Sequence, residues 1–334
     1  MGQMRALLSK VTGGPELLEI GLLSIPEPGW GEVRIKVAAC GINYPDALII
    51  EDRYQFRPER PFAPGGEVSG FIDAIGPGVD LFKVGDRVIG SGLFGGLADH
   101  IVLPENRCFA LPDDLDLAEG AALLMTYGTS YHALKDRAKI AAGEKLLVLG
   151  AAGGVGLAAV QLGKAFGAHV IAGVSSEEKA QAVRDNGADD VIIYPRELDL
   201  AAAKAITATI RSAAGGTVDV IYDPVGGPYA EPALRSLGWD GRYLVVGFPA
   251  GIPKISLNLP LLKSCSIVGV FYGLYIENFP EQHRVEVAEL ISLWRERRIR
   301  PLVSERFSFE ESGKAIESLV SRKVVGKAVV LLNG

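Results

Sequence analysis

The stretch "LLVLGAAGGVGLAAVQLG", Leu146 to Gly163, has no charged residue and five glycines in eighteen positions. A membrane span needs about twenty consistently apolar residues, and glycine is a poor helix former, so the run is better divided into three. "KLLVLG" reads as a buried strand, "GAAGGVG" as a tight turn and "VGLAAVQLGKAFG" as a helix. A strand, glycine turn and helix in that order let backbone N–H groups and the positive end of the helix approach a phosphate, which is the chemistry of a dinucleotide site. Ala151 stands in the first place of the usual G-x-G-x-x-G, while Gly153 and Gly156 keep the other two. A second strand, "HVIAGV", follows at the distance such a unit requires. The competing reading is a turn rich in glycine only for packing.

The end of that second strand discriminates between dinucleotides. NAD sites usually place an Asp or Glu there, about twenty residues past the glycines, to accept hydrogen bonds from the ribose 2′-hydroxyl. Here the sequence is "AGVSSEEK", with Val174 at the acid's position. Ser175, Ser176 and Lys179 offer hydroxyls and an ammonium to a 2′-phosphate instead, so NADPH is the expected cofactor. Ser175 or Ser176 can also cap the following helix with Glu178, and Glu177 and Glu178 oppose a bound phosphate.

Other reactive residue types are sparse. Cys40, Cys108 and Cys265 are too few and too scattered for a disulfide framework or a cysteine-rich zinc lobe. Cys40 ends an apolar strand with no local His or Lys to lower its pKa, and reads as an inert buried thiol. The four histidines, His100, His132, His169 and His283, are scattered and read as structural. "WRERRIR", Trp294 to Arg300, reads as a solvated helix face. A formal net charge of −6 argues against nucleic-acid binding. The start "MGQMRALL" has neither a signal-peptide core nor a myristoylation motif, so a cytoplasmic protein with no membrane association is expected.

The elements that must position these residues fall into two kinds. The first hundred or so residues alternate short β patterns with turns; in "GEVRIKVAAC", Val33, Ile35 and Val37 point one way and Glu32, Arg34 and Lys36 the other. This half reads as a β-rich, partly open barrel. From about Leu117, the runs "KLLVLG", "AHVIAGV", "DDVIIY", "VDVIYD", "GRYLVVGF" and "CSIVGVF" alternate with helical stretches. That alternation predicts an α/β fold with a parallel sheet covered on both faces.

In order along nearly the whole chain, "WGEVRIKVAACGIN", "PGGEVSG", "VGDRV", "YGTSYHAL", "GAAGGVG", "YDPVGG" and "VGKAVV" resemble the medium-chain dehydrogenase/reductase superfamily. Within it, the sequence is similar to the zinc-free NADPH:quinone oxidoreductase group related to zeta-crystallin. The resemblance implies a GroES-like β-rich catalytic domain, residues 1–122 and 268–334, and a Rossmann domain with a doubly wound parallel sheet, residues 123–267. Zinc-dependent members carry a metal-binding Cys after the "CGI" segment and a His in a "PGHE"-type motif. Those positions here are Asn43 and Gly66, which cannot make a tetrahedral site of protein ligands, so no metal is expected.

A site lacking a Lewis acid suits an acceptor already activated by conjugation, a quinone or α,β-unsaturated carbonyl, whose reduced anion needs only hydrogen-bond donors. The resemblance implies that Asn43 lies near nicotinamide and substrate, with Tyr54 in "EDRYQF" the donor; the proton comes from Tyr54 or water. Asp46 in "NYPD" reads mainly as local structure. The resemblance also implies Thr129 near the carboxamide, Gly153, Gly154 and Val155 at the pyrophosphate, Lys179 and Tyr194 around the 2′-phosphate, and Phe248, Phe271 and Tyr272 at the nicotinamide end. It implies a homodimer formed through "CSIVGVFYG". Two alternatives are an enoyl thioester reductase of the acrylyl-CoA type, with Arg53, Arg57 and Arg60 meeting a CoA phosphate, and a non-catalytic, crystallin-like NADPH-binding protein.

Overall fold

The computed structural model describes residues 2–195, 198, 200–321 and 323–332. The chain divides into two compact units: residues 1–125, 287–291 and 301–334 form the first, and 126–286 with 292–300 the second.

The second unit is built on a six-stranded sheet. Its spatial order is Asp190–Ile193, His169–Val174, Lys145–Val148, Val218–Asp223, Leu237–Val245, Ser266–Gly269, and every neighbouring pair is parallel. Counted along the chain this is the order 3-2-1-4-5-6 of a doubly wound dinucleotide-binding sheet, with its switch point between the first and fourth strands. All six apolar runs noted in the sequence are strands here. Leu146, Leu147 and Val148 are fully buried, as are Val170, Ile171 and Ala172, because helices cover both faces and leave no polar side for alternation to record. The uncharged run Leu146–Gly163 is strand, turn and the helix Gly154–Ala165. Among the described residues no helix is long and apolar enough to cross a membrane.

In the first unit, Glu32–Gly41 is the central strand of a seven-stranded sheet. It pairs antiparallel with Glu67–Ile75, His100–Pro104 and Lys327–Leu331. Val33, Ile35 and Val37 are buried while Lys36 is exposed, the alternation of a strand with one face on the core. The pairing with Lys327–Leu331 brings the last strand of the chain beside a strand nearly three hundred residues earlier.

The two units depart from the expected domain bounds at residues 123–125, 268–286 and 292–300. Residues 268–286, assigned from sequence to the GroES-like domain, cluster with the parallel-sheet unit. Aromatic contacts within that unit account for this: the Tyr275 ring stacks on His132 at 3.9 Å between centroids, and the Tyr272 hydroxyl meets His283 Nε2 at 2.7 Å. Tyr272, Tyr275 and His283 lie just past the sixth parallel strand, where β periodicity carries no signal.

Candidate active site

The glycine turn begins where the first parallel strand ends. Gly150 adopts φ +57°, a left-handed conformation that favours glycine, and Ala151 is fully buried with its N–H on Gly173 O at 3.0 Å. The conformational freedom usually supplied by the motif's first glycine is thus taken one residue earlier. Gly153 is the N-cap of the helix Gly154–Ala165, and no side chain caps that helix. The first-turn N–H groups therefore form an uncapped positive end suited to an anion. A Cβ on Gly156 would lie 2.3 Å from Gly150 O, so glycine is required for the helix to approach the turn. Gly153 is exposed and a Cβ there would meet only Gly150 O at 3.5 Å, which leaves space for a diphosphate beside the turn.

At the end of the second strand Val174 is buried, and Ser175, Ser176 and Lys179 are half-buried. Ser176 caps the helix Glu177–Asp185 by accepting the Lys179 N–H at 3.4 Å. Glu177 pairs with Arg184 at 3.2 Å, which offsets one of the two negative charges expected to oppose a phosphate. Thr129 is half-buried in the helix Leu124–Tyr131. Its neighbour Ser130 donates to Val155 O at 2.8 Å and lies 2.9 Å from the Tyr222 hydroxyl, tying that helix to the first turn after the glycines. Phe248 and Phe271 are exposed just beyond the C-terminal ends of the fifth and sixth strands, the end at which such sheets bind ligands.

Two of the anticipated cofactor residues have hydrogen-bond partners within the protein. Tyr194 is buried, its hydroxyl accepts the Gly150 N–H at 2.9 Å, and burial pushes its pKa far up; it supports the turn's backbone. Tyr272 is only 5% exposed, with its hydroxyl on His283.

In the first unit the candidate residues form a closed polar network. Asn43 ends the central strand's extension and is the N-cap of the short helix Tyr44–Ile50, with only 8% of its surface exposed. Its N–H donates to Asp46 Oδ2 at 2.7 Å, and Gly65 N–H donates to Asp46 Oδ1 at 3.1 Å. Asp46 is therefore the local structural residue that its sequence position suggested. Burial pushes its carboxyl up to about 6, against the opposing pull of those N–H groups and of Lys327. The Asn43 amide donates to Glu67 Oε2 at 2.9 Å and Gly41 O at 3.2 Å, and accepts from Lys327 Nζ at 2.6 Å. Tyr54 packs half-buried against the same core, its pKa raised by burial and by the negative charge of Asp46. Cys40 is buried and its thiol is pushed well up by burial and by Asp46 and Glu67. Of the arginines beside Tyr54, Arg60 is engaged by Asp52 and Ile50 O, both at 2.9 Å, and Arg53 pairs with Glu51 at 2.9 Å.

Sequence reasoning passed over Glu67, Lys327, Ser130 and Tyr222. Each lies within one of the motifs above, but their partnerships span 24 to 285 residues and leave no periodic trace.

A doubly wound sheet with an uncapped glycine-turn helix, joined in one chain to a β-rich unit holding a buried polar site, defines a dinucleotide-dependent oxidoreductase. Residues 29–113 match the family model described as the alcohol dehydrogenase GroES-like domain, and residues 154–288 match that described as zinc-binding dehydrogenase. The "Quinone oxidoreductase-like protein 2 homolog" of Nematostella vectensis is 36% identical over 98% of this chain and 88% of its own length. Human "Quinone oxidoreductase" is 32% identical over 98% of each chain. Among solved structures, the mycobacterial protein Rv1454c complexed with NADPH aligns with a TM-score of 0.90 at 31% identity, over 98% of this chain and all of that one. The Escherichia coli quinone oxidoreductase complexed with NADPH aligns at 0.88 and 28% identity, over 99% of this chain and all of that one. The chain belongs to the quinone oxidoreductase group of the medium-chain dehydrogenase/reductase superfamily.

Proposed function

We propose that the protein is a zinc-independent reductase that moves hydride from NADPH to a quinone or another α,β-unsaturated carbonyl. The observation that carries this reading is the state of Asn43. Where zinc-dependent relatives have a cysteine, this chain has an amide whose oxygen and both N–H groups are already bonded within the protein, and Gly66 at the histidine position has no side chain. Protein ligands for a catalytic zinc are missing at both positions, so activation of the acceptor falls to its own conjugation.

The NADPH assignment is supported by the absence of a carboxylate at Val174, by Ser175, Ser176 and Lys179 around it, and by the two NADPH-bound relatives. Bound NADPH would supply the hydride. The uncapped N–H groups of Gly154, Val155 and Gly156 would hold the diphosphate, with Gly153 leaving room for it. Ser175, Ser176 and Lys179 would take the 2′-phosphate, Thr129 the carboxamide, and Phe248 and Phe271 the faces of the nicotinamide end. Hydride addition leaves negative charge on the acceptor oxygen, as an enolate or hydroquinone anion. Tyr54, a phenol and so protonated at neutral pH, would donate a hydrogen bond to that oxygen as the charge develops.

Asn43, with both N–H groups committed, would position this region rather than donate to the oxyanion. In a thioester reductase the CoA phosphate would fall to Arg57, which is exposed, and to the exposed Arg53, since Arg60 is held by Asp52. A homodimer is supported by the edge strand Ser266–Gly269 and by the apolar side chains of Ile252, Leu257, Leu261 and Leu262 in the same unit, which are 72–81% exposed.

Steady-state oxidation of NADPH and NADH against an ortho-quinone, a para-quinone, a simple enone, acrylyl-CoA and a plain aldehyde, with and without chelator, tests the reading. The expected result is chelator-insensitive turnover of the quinones and the enone, faster with NADPH. Aldehyde reduction abolished by chelator would overturn zinc independence, and silence with every acceptor would favour a binding protein without turnover.

A further inference from the structure

Lys327 and Glu67 are charged residues in the interior of the first unit, 4% and 0% exposed, that the proposed reaction does not use. Lys327 Nζ has three hydrogens and three acceptors: Asn43 Oδ1 at 2.6 Å, Ile42 O at 2.8 Å and Glu67 Oε2 at 3.3 Å. Glu67 Oε2 also accepts from Asn43 Nδ2, and its Oε1 accepts the Met125 N–H at 3.0 Å. An ammonium can only donate and a carboxylate only accept, so the two charges dictate which end of the Asn43 amide faces which way. A flipped amide would set N–H against ammonium and oxygen against carboxylate.

The consequence runs along the chain. Asn43 starts the helix Tyr44–Ile50, Asp46 in that helix holds the Asn43 N–H and the Gly65 N–H, and the Arg53 N–H closes on Leu48 O at 2.9 Å immediately before Tyr54. A pair present only for stability would be a poor choice, because desolvating two charges costs about what their attraction returns.

We propose that Lys327 and Glu67 are positioning residues, a buried ion pair that orients the Asn43 amide and through it the helix and loop that present Tyr54. This rests on the functional reading above only for the role of Tyr54. The groups facing Asp46 are Cys40, Tyr54, Glu67 and Lys327, and Lys327 is the single cation among them; its charge favours the ionised carboxylate that accepts both N–H groups. Wild-type kcat should therefore fall as pH drops through about 6, where Asp46 takes up a proton and releases an N–H.

The test compares Lys327→Met, the conservative Lys327→Arg, and the double variant Lys327→Met/Glu67→Gln, which removes the charge that Lys327→Met leaves unpaired at Glu67 should the single variant fail to fold. In Lys327→Met, kcat should fall at least tenfold, KM for NADPH should stay within twofold, and the acid limb of the kcat profile should move to higher pH. Lys327→Arg should restore the limb and most of kcat. Hydrogen exchange in the cofactor-free protein gives a readout independent of turnover. Exchange over residues 43–54 should quicken about tenfold in Lys327→Met or the double variant but not in Lys327→Arg, while residues 154–165 stay unchanged. Uniform loss of protection, or an unmoved acid limb with kcat falling only in step with folded protein, would overturn the proposal. A wild type silent with every acceptor would overturn the functional reading instead, and the exchange data would still decide this one.

Discussion

Tyr54→Phe should lower kcat for quinone or enone reduction by about a hundredfold or more, the usual effect of removing one donor from a developing oxyanion, while leaving NADPH affinity unchanged. The phenyl ring keeps the packing that Tyr54 makes against the first unit's core, so stability should hardly move. Only the hydroxyl is lost, and that hydroxyl is shielded enough for burial to raise its pKa. In such surroundings a neutral donor aimed at a new negative charge contributes more than it would in water. Rapid-mixing measurement of NADPH oxidation, with a fluorescence titration of NADPH, separates the two quantities. A loss of less than threefold would assign the proton to water and leave Tyr54 as a packing residue.

Gly156→Val should raise the Kd for NADPH at least a hundredfold, or about 3 kcal/mol. The added Cβ would lie 2.3 Å from Gly150 O and 2.8 Å from Ala151 Cα, and both are backbone atoms that cannot rotate aside. The helix must back away from the turn, and its first N–H groups then no longer converge on one point. Some stability will be lost as well, because the same shift disturbs the packing of Leu157 and Val160, both buried in this helix. Gly153→Ala is the control that separates the two effects. Its Cβ meets only Gly150 O at 3.5 Å, so Tm should hold while the methyl enters the space assigned to the diphosphate and affinity falls. Calorimetry and a binding titration on both variants check this. Full affinity in Gly153→Ala would place the diphosphate elsewhere.

The fold could be read far into its detail because its signals are local. A strand buried on both faces must be apolar throughout, and six such runs separated by helix patterns leave few arrangements besides a doubly wound sheet. The glycine turn announced itself through residue type, although its left-handed residue is Gly150 rather than the motif's first position. The polar site was legible only in part. Asn43 and Gly66 showed what the chain lacks, but the residues that bond the Asn43 amide, Glu67 and Lys327, come together only when the last strand pairs with the central one. Tyr194 and Tyr272 were placed by resemblance, and sequence gives no sign of the bonds their hydroxyls make with Gly150 and His283.

Direct, metal-free hydride transfer from NADPH to a conjugated acceptor is checked by incubating metal-analysed, chelator-treated protein with NADPH deuterated at C4, using the two stereoisomers in separate reactions, and an enone, and then locating the label in the product by mass spectrometry and NMR. One deuterium is expected at the β-carbon with one of the two stereoisomers, in protein holding no stoichiometric metal. Product that carries no label from either isomer, or labelled product that forms only after zinc is restored, would contradict it.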